Sequence, residues 1–355
     1  RTAKLIAEQL RSYGIDTKTG IGKTGVIGDL RGKGGSKTIA LRADMDALPV
    51  HETGNGSYKS QHDGVMHACG HDGHMAMLLG AAKILSQSKN RLHENIRFIF
   101  QPAEEEKGGA RYMIADGCLD KVDEIYGMHL WNYQPYGEIG VKSGAVMAAA
   151  DIIDITINGI GGHGAMPQGT VDAIVTASNL IMNLQTIVSR NTDPLESTVI
   201  TIGKIAGGHG FNIIADEVKL RGTARAMTEK NRMMVKTRMQ EIIDGVAKAS
   251  GAIINFDYQD GYPPTINDEN ATQTVQKTAY KIVGDRIVEP YLTMGAEDFS
   301  YYLQKIPGCF FFIGSAPQGK EPMSVPHHCS HFDIDERALL IGTSMFVQLI
   351  FDKLQ

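Results

Sequence analysis

Cysteine is scarce in this chain. Four residues of that type (Cys69, Cys118, Cys309 and Cys329) in 355 cannot staple a scaffold of this size, which excludes a disulfide-built secreted module and points to a reducing, cytoplasmic setting. No apolar run approaches the roughly 20 residues that span a bilayer, so there is no membrane helix. Positive charge is not in excess either: Lys+Arg 35 against Asp+Glu 40 gives a formal net charge of −5. Nothing is left over to neutralise a phosphate backbone, and a nucleic-acid partner is excluded. The glycine-dense stretches 20–28 and 32–35 lack the spacing of a phosphate-binding or dinucleotide-binding loop, and no Gly-x-Ser-x-Gly elbow occurs. Nucleotide use and serine hydrolysis are therefore unsupported. What remains is an ordinary globular composition, 42% hydrophobic and 21% charged, long enough for two domains at roughly 150 residues each. The chain opens on Arg1 inside a helical pattern (Ala3, Leu5, Ile6, Leu10), which implies residues upstream.

Over residues 1–150 strands and helices alternate. Val26 to Leu30, Thr38 to Arg42, Ile96 to Gln101 and Glu124 to Leu130 read as β, and His74 to Ser86 and Ala110 to Ala115 as helix. Such alternation predicts an α/β fold, a mixed, mostly parallel sheet flanked by helices, with ligands at the carboxyl ends of its strands. At Asp151 the pattern changes: an alternating strand (Ile153, Ile155, Ile157), an amphipathic stretch Asp172 to Ser189, strands Thr198 to Ile205 and Glu217 to Ala226, a helix Glu229 to Ser250, and a strand Ile253 to Tyr258. That order is an α+β split βαβ unit, so residues 151–263 read as an insertion. Residues 264–355 return to alternation (Ala271 to Val283 helical, Cys309 to Gly314 strand, Arg337 to Leu354 helical) and complete the first domain.

Chemistry concentrates in four segments. In His67-Ala68-Cys69-Gly70-His71-Asp72-Gly73-His74 a thiol and an imidazole stand two residues apart before an apolar helix, ligand types that Zn²⁺ prefers. After the apolar strand ending at Gln101, Glu104, Glu105 and Glu106 follow in a row. Three acids suit a helix start, but at the end of a buried strand they also call for a cation or a proton. The strand at Glu124 runs into His129, and His327, His328 and His331 crowd near the C-terminus. Alone, each histidine reads as well as a surface or core-edge residue. Jointly the segments offer Cys69, His71, one or two of Glu104 and Glu105, His129, and His327 or His328, enough for two metals sharing an activated water.

These segments, with Leu41 to Pro49, Gly127-Met128-His129, Gly161 to Pro167 and Phe332 to Glu336, resemble the amidohydrolase branch of the aminoacylase-like metallopeptidases. That branch includes hippurate hydrolase, the indole-3-acetyl-amino acid (IAA) hydrolases and N-acetyldiaminopimelate deacetylase. The resemblance covers nearly the whole chain, in order. It implies a zinc-peptidase-like catalytic domain and an inserted ferredoxin-like lid and dimerisation domain. It further implies that Cys69, His71, Glu105, His129 and His328 bind two divalent ions per subunit, Zn²⁺ or Mn²⁺ with Co²⁺ or Ni²⁺ as alternatives. Glu104 is then the general base. Asp44, Asp46 and Asp72 become carboxylates that orient ligands, with Glu297, His67 and His74 as further neighbours. His163 is expected to reach across a homodimer to stabilise an oxyanion, and Asn212 and Arg225 to hold the substrate carboxylate. Cys329-Ser330-His331 departs from the family's Asn-Pro or Ser-Pro, which loosens the register of the last ligand and leaves Cys329 or His331 as groups that could approach the metals, with His327 as the neighbouring alternative to His328.

The expected activity is cleavage of N-acyl amino acids into a carboxylic acid and a free amino acid, by a homodimer or dimer of dimers. A dipeptidase or carboxypeptidase of the same family, and a non-catalytic metal-dependent binding protein, are the competing readings.

Overall fold

The computed structural model describes all residues except Asn55, Leu354 and Gln355, and the side chains of all of these but Glu106 and Lys107. The chain forms two compact units: Arg1–Val146 with Thr265–Leu292 and Glu297–Gln355, and Met147–Pro264 with Thr293–Ala296.

The first unit is built on an eight-stranded sheet. Its strands run in the order Asp16–Ile21, Gly25–Leu30, Asn95–Gln101, Thr38–Asp44, Glu124–Trp131, Gly308–Gly314, Ile139–Gly140, Ile287–Val288. The four central strands, from Asn95–Gln101 to Gly308–Gly314, are mutually parallel. Their sequences are nearly unbroken apolar runs because both faces are covered. Leu41, Phe98, Phe100, Tyr126, Met128 and Phe311 face a layer of helices that includes His71–Gln87, Glu269–Val283 and Ala338–Asp352. The antiparallel pair at Asp16–Ile21 and Gly25–Leu30 makes the sheet mixed. Its first strand is mostly exposed, and so carries little of the apolar signal that sequence reading depends on.

Element ends differ from expectation where backbone geometry decides them. The helix expected from His74 begins at His71, because Gly70, at φ 82°, supplies a left-handed cap that starts it a turn earlier. The last helix spans Ala338–Asp352, and the expected end at Leu354 lies outside the described residues.

The second unit is a four-stranded antiparallel sheet in the order Thr198–Gly207, Glu217–Ala226, Ala149–Asn158, Ile253–Tyr262. The helices Ala173–Thr186 and Glu229–Ser250 follow the first and third of these strands in the chain, which is the split βαβ order. Ala149–Asn158 buries every second residue, and Ile153, Ile155 and Ile157 pack with Leu180, Leu184, Met239 and Ile243 in one core. Asp172 caps the first helix by accepting the Ile174 and Val175 N–H groups, and that helix ends in a π-turn at Ile187–Asn191, short of an uninterrupted run to Ser189. Among the described residues no helix is long and apolar enough to cross a membrane.

Candidate metal centre

Three neighbouring parallel strands deliver the chemistry at or just beyond their carboxyl ends, where open α/β sheets collect ligands. Thr38–Asp44 ends on Asp44 and leads to Asp46; Asn95–Gln101 leads to Glu104 and Glu105; Glu124–Trp131 carries His129. Cys69 and His71 flank the left-handed Gly70 at the helix start. Within the site two non-glycine residues also adopt the left-handed conformation: Ala103 (φ 56°), directly before Glu104, and His328 (φ 65°). Such conformations persist where the surroundings hold them. Beneath Ala103, the Gly109 N–H donates to the Ala103 carbonyl at 2.9 Å, and a Cβ on Gly109 would sit 1.7 Å from the Pro102 oxygen. Only glycine fits this turn.

The donor atoms of Cys69, His71 and His129 lie within 4.8 Å of one another, as do those of Cys69, Glu105 and His328, and of His71, Glu104 and Glu105. These overlapping triads contain every residue the resemblance places at the metals, plus Glu104. The imidazoles are aimed by their outer nitrogens. His71 Nδ1–H donates to the Asp46 carbonyl at 3.0 Å and His129 Nδ1–H to the Leu130 carbonyl at 2.5 Å, so both aim Nε2 inward. His129 Nε2 is 3.4 Å from Cys69 Sγ.

His71 Nε2 and Glu105 Oε1 are buried without a hydrogen-bond partner although only 3.7 Å apart, and His328 Nε2 stands 3.2 Å from the same Glu105 oxygen. Buried ligand-type atoms crowded together with so little hydrogen bonding are the arrangement a cation relieves, and thiolate, imidazole and carboxylate together suit borderline divalent ions. The protonation pattern agrees. Burial opposes charge on His71, but Asp44, Asp46 and Glu105 outweigh it and raise its pKa to about 9. Burial, with Glu105, Glu104 and Asp44, pushes the Cys69 thiol well up, and burial holds His129 neutral. Protons thus balance charge that a cation would displace. Burial, Glu297, Asp298 and Glu105 likewise push the Glu104 carboxyl well above its ordinary range.

A buried charged frame sets these groups. Asp46 accepts the backbone N–H of Glu104 and of Glu105, at 3.0 and 3.1 Å, and its carbonyl also takes His67 Nδ1–H. Asp44 accepts from His74 Nδ1 at 2.6 Å, while His74 Nε2 accepts the Leu130 N–H at 2.9 Å; His74 is fully engaged and holds the strand beside His129. Arg42, 1% exposed, binds Asp44, Glu297, Asp298 and Gln101 at 2.8 to 3.0 Å. Asp298 in turn accepts from Gln101 Nε2 and the Ala110 N–H, bracketing the Glu104 turn. Sequence reading missed Arg42, Gln101 and Asp298 in this role. Its available signal was a charge inside the apolar run Ile39-Ala40-Leu41-Arg42-Ala43.

Asp72 requires a correction. It is exposed, and its carboxylate accepts the adjacent Gly73 N–H. Successive residues on a helix face different directions, so an inward His71 turns Asp72 outward. In the C-terminal loop, His328 joins the cluster, His331 is exposed, and Cys329 packs against Met66, Ala68 and Phe332. His327 lies against Cys69, with Nδ1 3.7 Å from Sγ.

In the second unit, His163 sits on a two-residue ladder, Gly162–His163 with Ile213–Ile214, and the Gly164 N–H donates to the Asn212 carbonyl at 2.8 Å. His163 and Asn212 are therefore neighbours, and both are exposed. Arg225 is on the strand Glu217–Ala226, half-buried, donating to Thr223 Oγ1 and the Ala224 carbonyl.

Residues 40–352 match the family model for peptidase family M20/M25/M40. An N-acetyl-L-cysteine deacetylase of Bacillus subtilis is 42% identical over 339 residues, covering 96% of this chain and 80% of that protein. Thermostable carboxypeptidase 2 of Saccharolobus solfataricus is 41% identical over 345 residues, covering 96% and 87%. The solved structure of Bacillus subtilis YXEP, a dinuclear metal-binding peptidase of the M20 family, superposes with a TM-score of 0.86 at 34% identity, covering 99% of this chain and 92% of that one.

Proposed function

The chain belongs to peptidase family M20/M25/M40 and is a hydrolase of amide bonds, and from that premise we propose that its substrates are N-acylated amino acids, released as a carboxylic acid and a free amino acid. The observation that carries the reading is the convergence of the donor atoms of Cys69, His71, Glu105, His129 and His328, with His71 Nε2 and Glu105 Oε1 buried and without a hydrogen bond, in a cluster that also holds Glu104. We assign Cys69, His71, Glu105, His129 and His328 as ligands of two divalent ions, Zn²⁺ or Mn²⁺, with Co²⁺ and Ni²⁺ able to use the same donors. What the ions supply when bound is Lewis acidity toward the scissile carbonyl and the attacking water.

Within this reading the chain's own groups move the protons. Glu104, held by Asp46 at its backbone and facing the His71–Glu105 pair, takes a proton from the attacking water and passes it to the leaving amine nitrogen. His163 stabilises the oxyanion in a partner's site, and Asn212 and Arg225 hold the substrate carboxylate. The partner is a second copy, as a homodimer or a dimer of dimers. Supporting this, Ile174, Val175 and Met182 on the helix Ala173–Thr186, Ile205 on the edge strand, and the wholly exposed Phe211 beside Asn212 form apolar surface in the second unit. All four cysteines are free, which supports a cytoplasmic setting.

The relative named a carboxypeptidase favours a second reading, cleavage of peptides. Amino-acid release from N-acetyl and N-benzoyl amino acids and from simple dipeptides, with Zn²⁺ or Mn²⁺ and with a chelator, separates the two. Chelator-sensitive release from the acylated compounds supports the proposal. Release from dipeptides alone overturns it in favour of peptidase action.

A further inference from the structure

Behind the cluster, His327 touches the sulfur of Cys69 while its other nitrogen is already committed. Its Nε2 accepts the backbone N–H of Asn132 at 3.2 Å. That donor is rigidly placed: the Asn132 side chain donates to the Val325 and Asp333 carbonyls at 2.9 and 2.8 Å and accepts from Ser315 Oγ at 2.8 Å. The ring itself is confined among Trp131, Tyr133, Phe332 and His129, with centroid separations of 5.0 to 5.2 Å. A neutral imidazole carries one proton, and an Nε2 that accepts leaves that proton on Nδ1. Nδ1 is 3.7 Å from Cys69 Sγ, within hydrogen-bonding reach for sulfur.

We propose that His327 is a positioning residue for the metal centre, locked by Asn132 in the Nδ1–H tautomer so that it donates a hydrogen bond to the Cys69 thiolate. The proposal rests on the assignment of Cys69 as a metal ligand. The bond does two things. It fixes the sulfur on the side of the cluster shared with His129 and Glu105. It also withdraws electron density from the thiolate, so that a soft, strongly donating ligand does not quench the Lewis acidity that the reaction uses. His327 and His328 thereby divide the tandem histidines: His328 faces Glu105 across the cluster, and His327 tunes the sulfur from behind. The adjacency that leaves the last ligand ambiguous in sequence thus has a physical use.

The test substitutes Co²⁺, whose thiolate-to-metal charge-transfer band reports the sulfur directly. In His327→Phe, which keeps a stacked ring and removes the donor, the band moves to longer wavelength, metal affinity and kcat change by about 10–100-fold, and KM is little altered. His327→Gln, which keeps an N–H donor, holds the band near its wild-type position. An unmoved band in a folded His327→Phe variant overturns the proposal. In the unsubstituted protein, ¹⁵N-correlated NMR of the His327 ring gives an independent reading: Nδ1–H is expected, and Nε2–H overturns it. Absence of any thiolate band in the wild-type Co²⁺ protein instead sinks the ligand assignment itself, so the two failures are distinguishable.

Discussion

The metal centre and the His163 loop are opposite kinds of site. In the first, Cys69, His71 and His129 are buried, the two imidazoles oriented by backbone carbonyls beside a frame anchored on Arg42. In the second, His163 on a short ladder and Asn212 just before its partner strand are both exposed, the His163 ring held locally by little more than the Ala165 N–H donating to its Nδ1. The difference teaches what each region needs. Buried acceptors converging on one point must be neutralised where they are, by protons or cations. Exposed polar groups carry no such demand, and a precise task for them needs surface brought from elsewhere, which is why we place their function in an assembled dimer.

The contrast can be broken experimentally. The largest effect is expected at Glu104: Glu104→Gln keeps the bound metals and lowers kcat by about 10²–10⁴-fold, measured on whichever acyl substrate is turned over. Retention of full activity would remove Glu104 from the proton path. His163→Ala should cost about 10²–10³-fold in kcat with no change in metal content. Mixing Glu104→Gln and His163→Ala chains should then restore part of the activity, because a hybrid dimer holds one site with both groups intact. Failure of that complementation would erase the distinction drawn between a site complete in one chain and a loop that serves another.

The clustering of the centre's donors is legible because they come in short runs at a helix start and beyond strand ends. Cys69-Gly70-His71 and Glu104-Glu105 each place two functional groups within three residues, and His129 closes an apolar strand. The alternation of strands and helices was equally readable, since both arise from local periodicity. What escaped depends on distance or on backbone conformation. Arg42 meets Glu297 and Asp298 some 255 residues later, a pairing that no spacing reveals. Asp72 looked like a neighbour of the centre because it adjoins His71 in sequence, yet helix geometry turns it outward. The choice between His327 and His328 hangs on a left-handed φ at a non-glycine residue and on the Asn132 N–H, neither of which a side-chain pattern records. The antiparallel edge strand Asp16–Ile21 is mostly exposed and offers no buried face to read.

A two-metal site is tested most directly by how many divalent ions the chain holds and which side chains hold them. Elemental analysis after equilibrium dialysis against Zn²⁺ or Mn²⁺, on the wild type and on His71→Ala, measures both. Two ions per chain in the wild type, with the variant losing at least one, is the predicted result. A wild type that binds none, or a variant that binds the same number, would contradict the assignment of the cluster around His71 and Glu105 as a two-metal site.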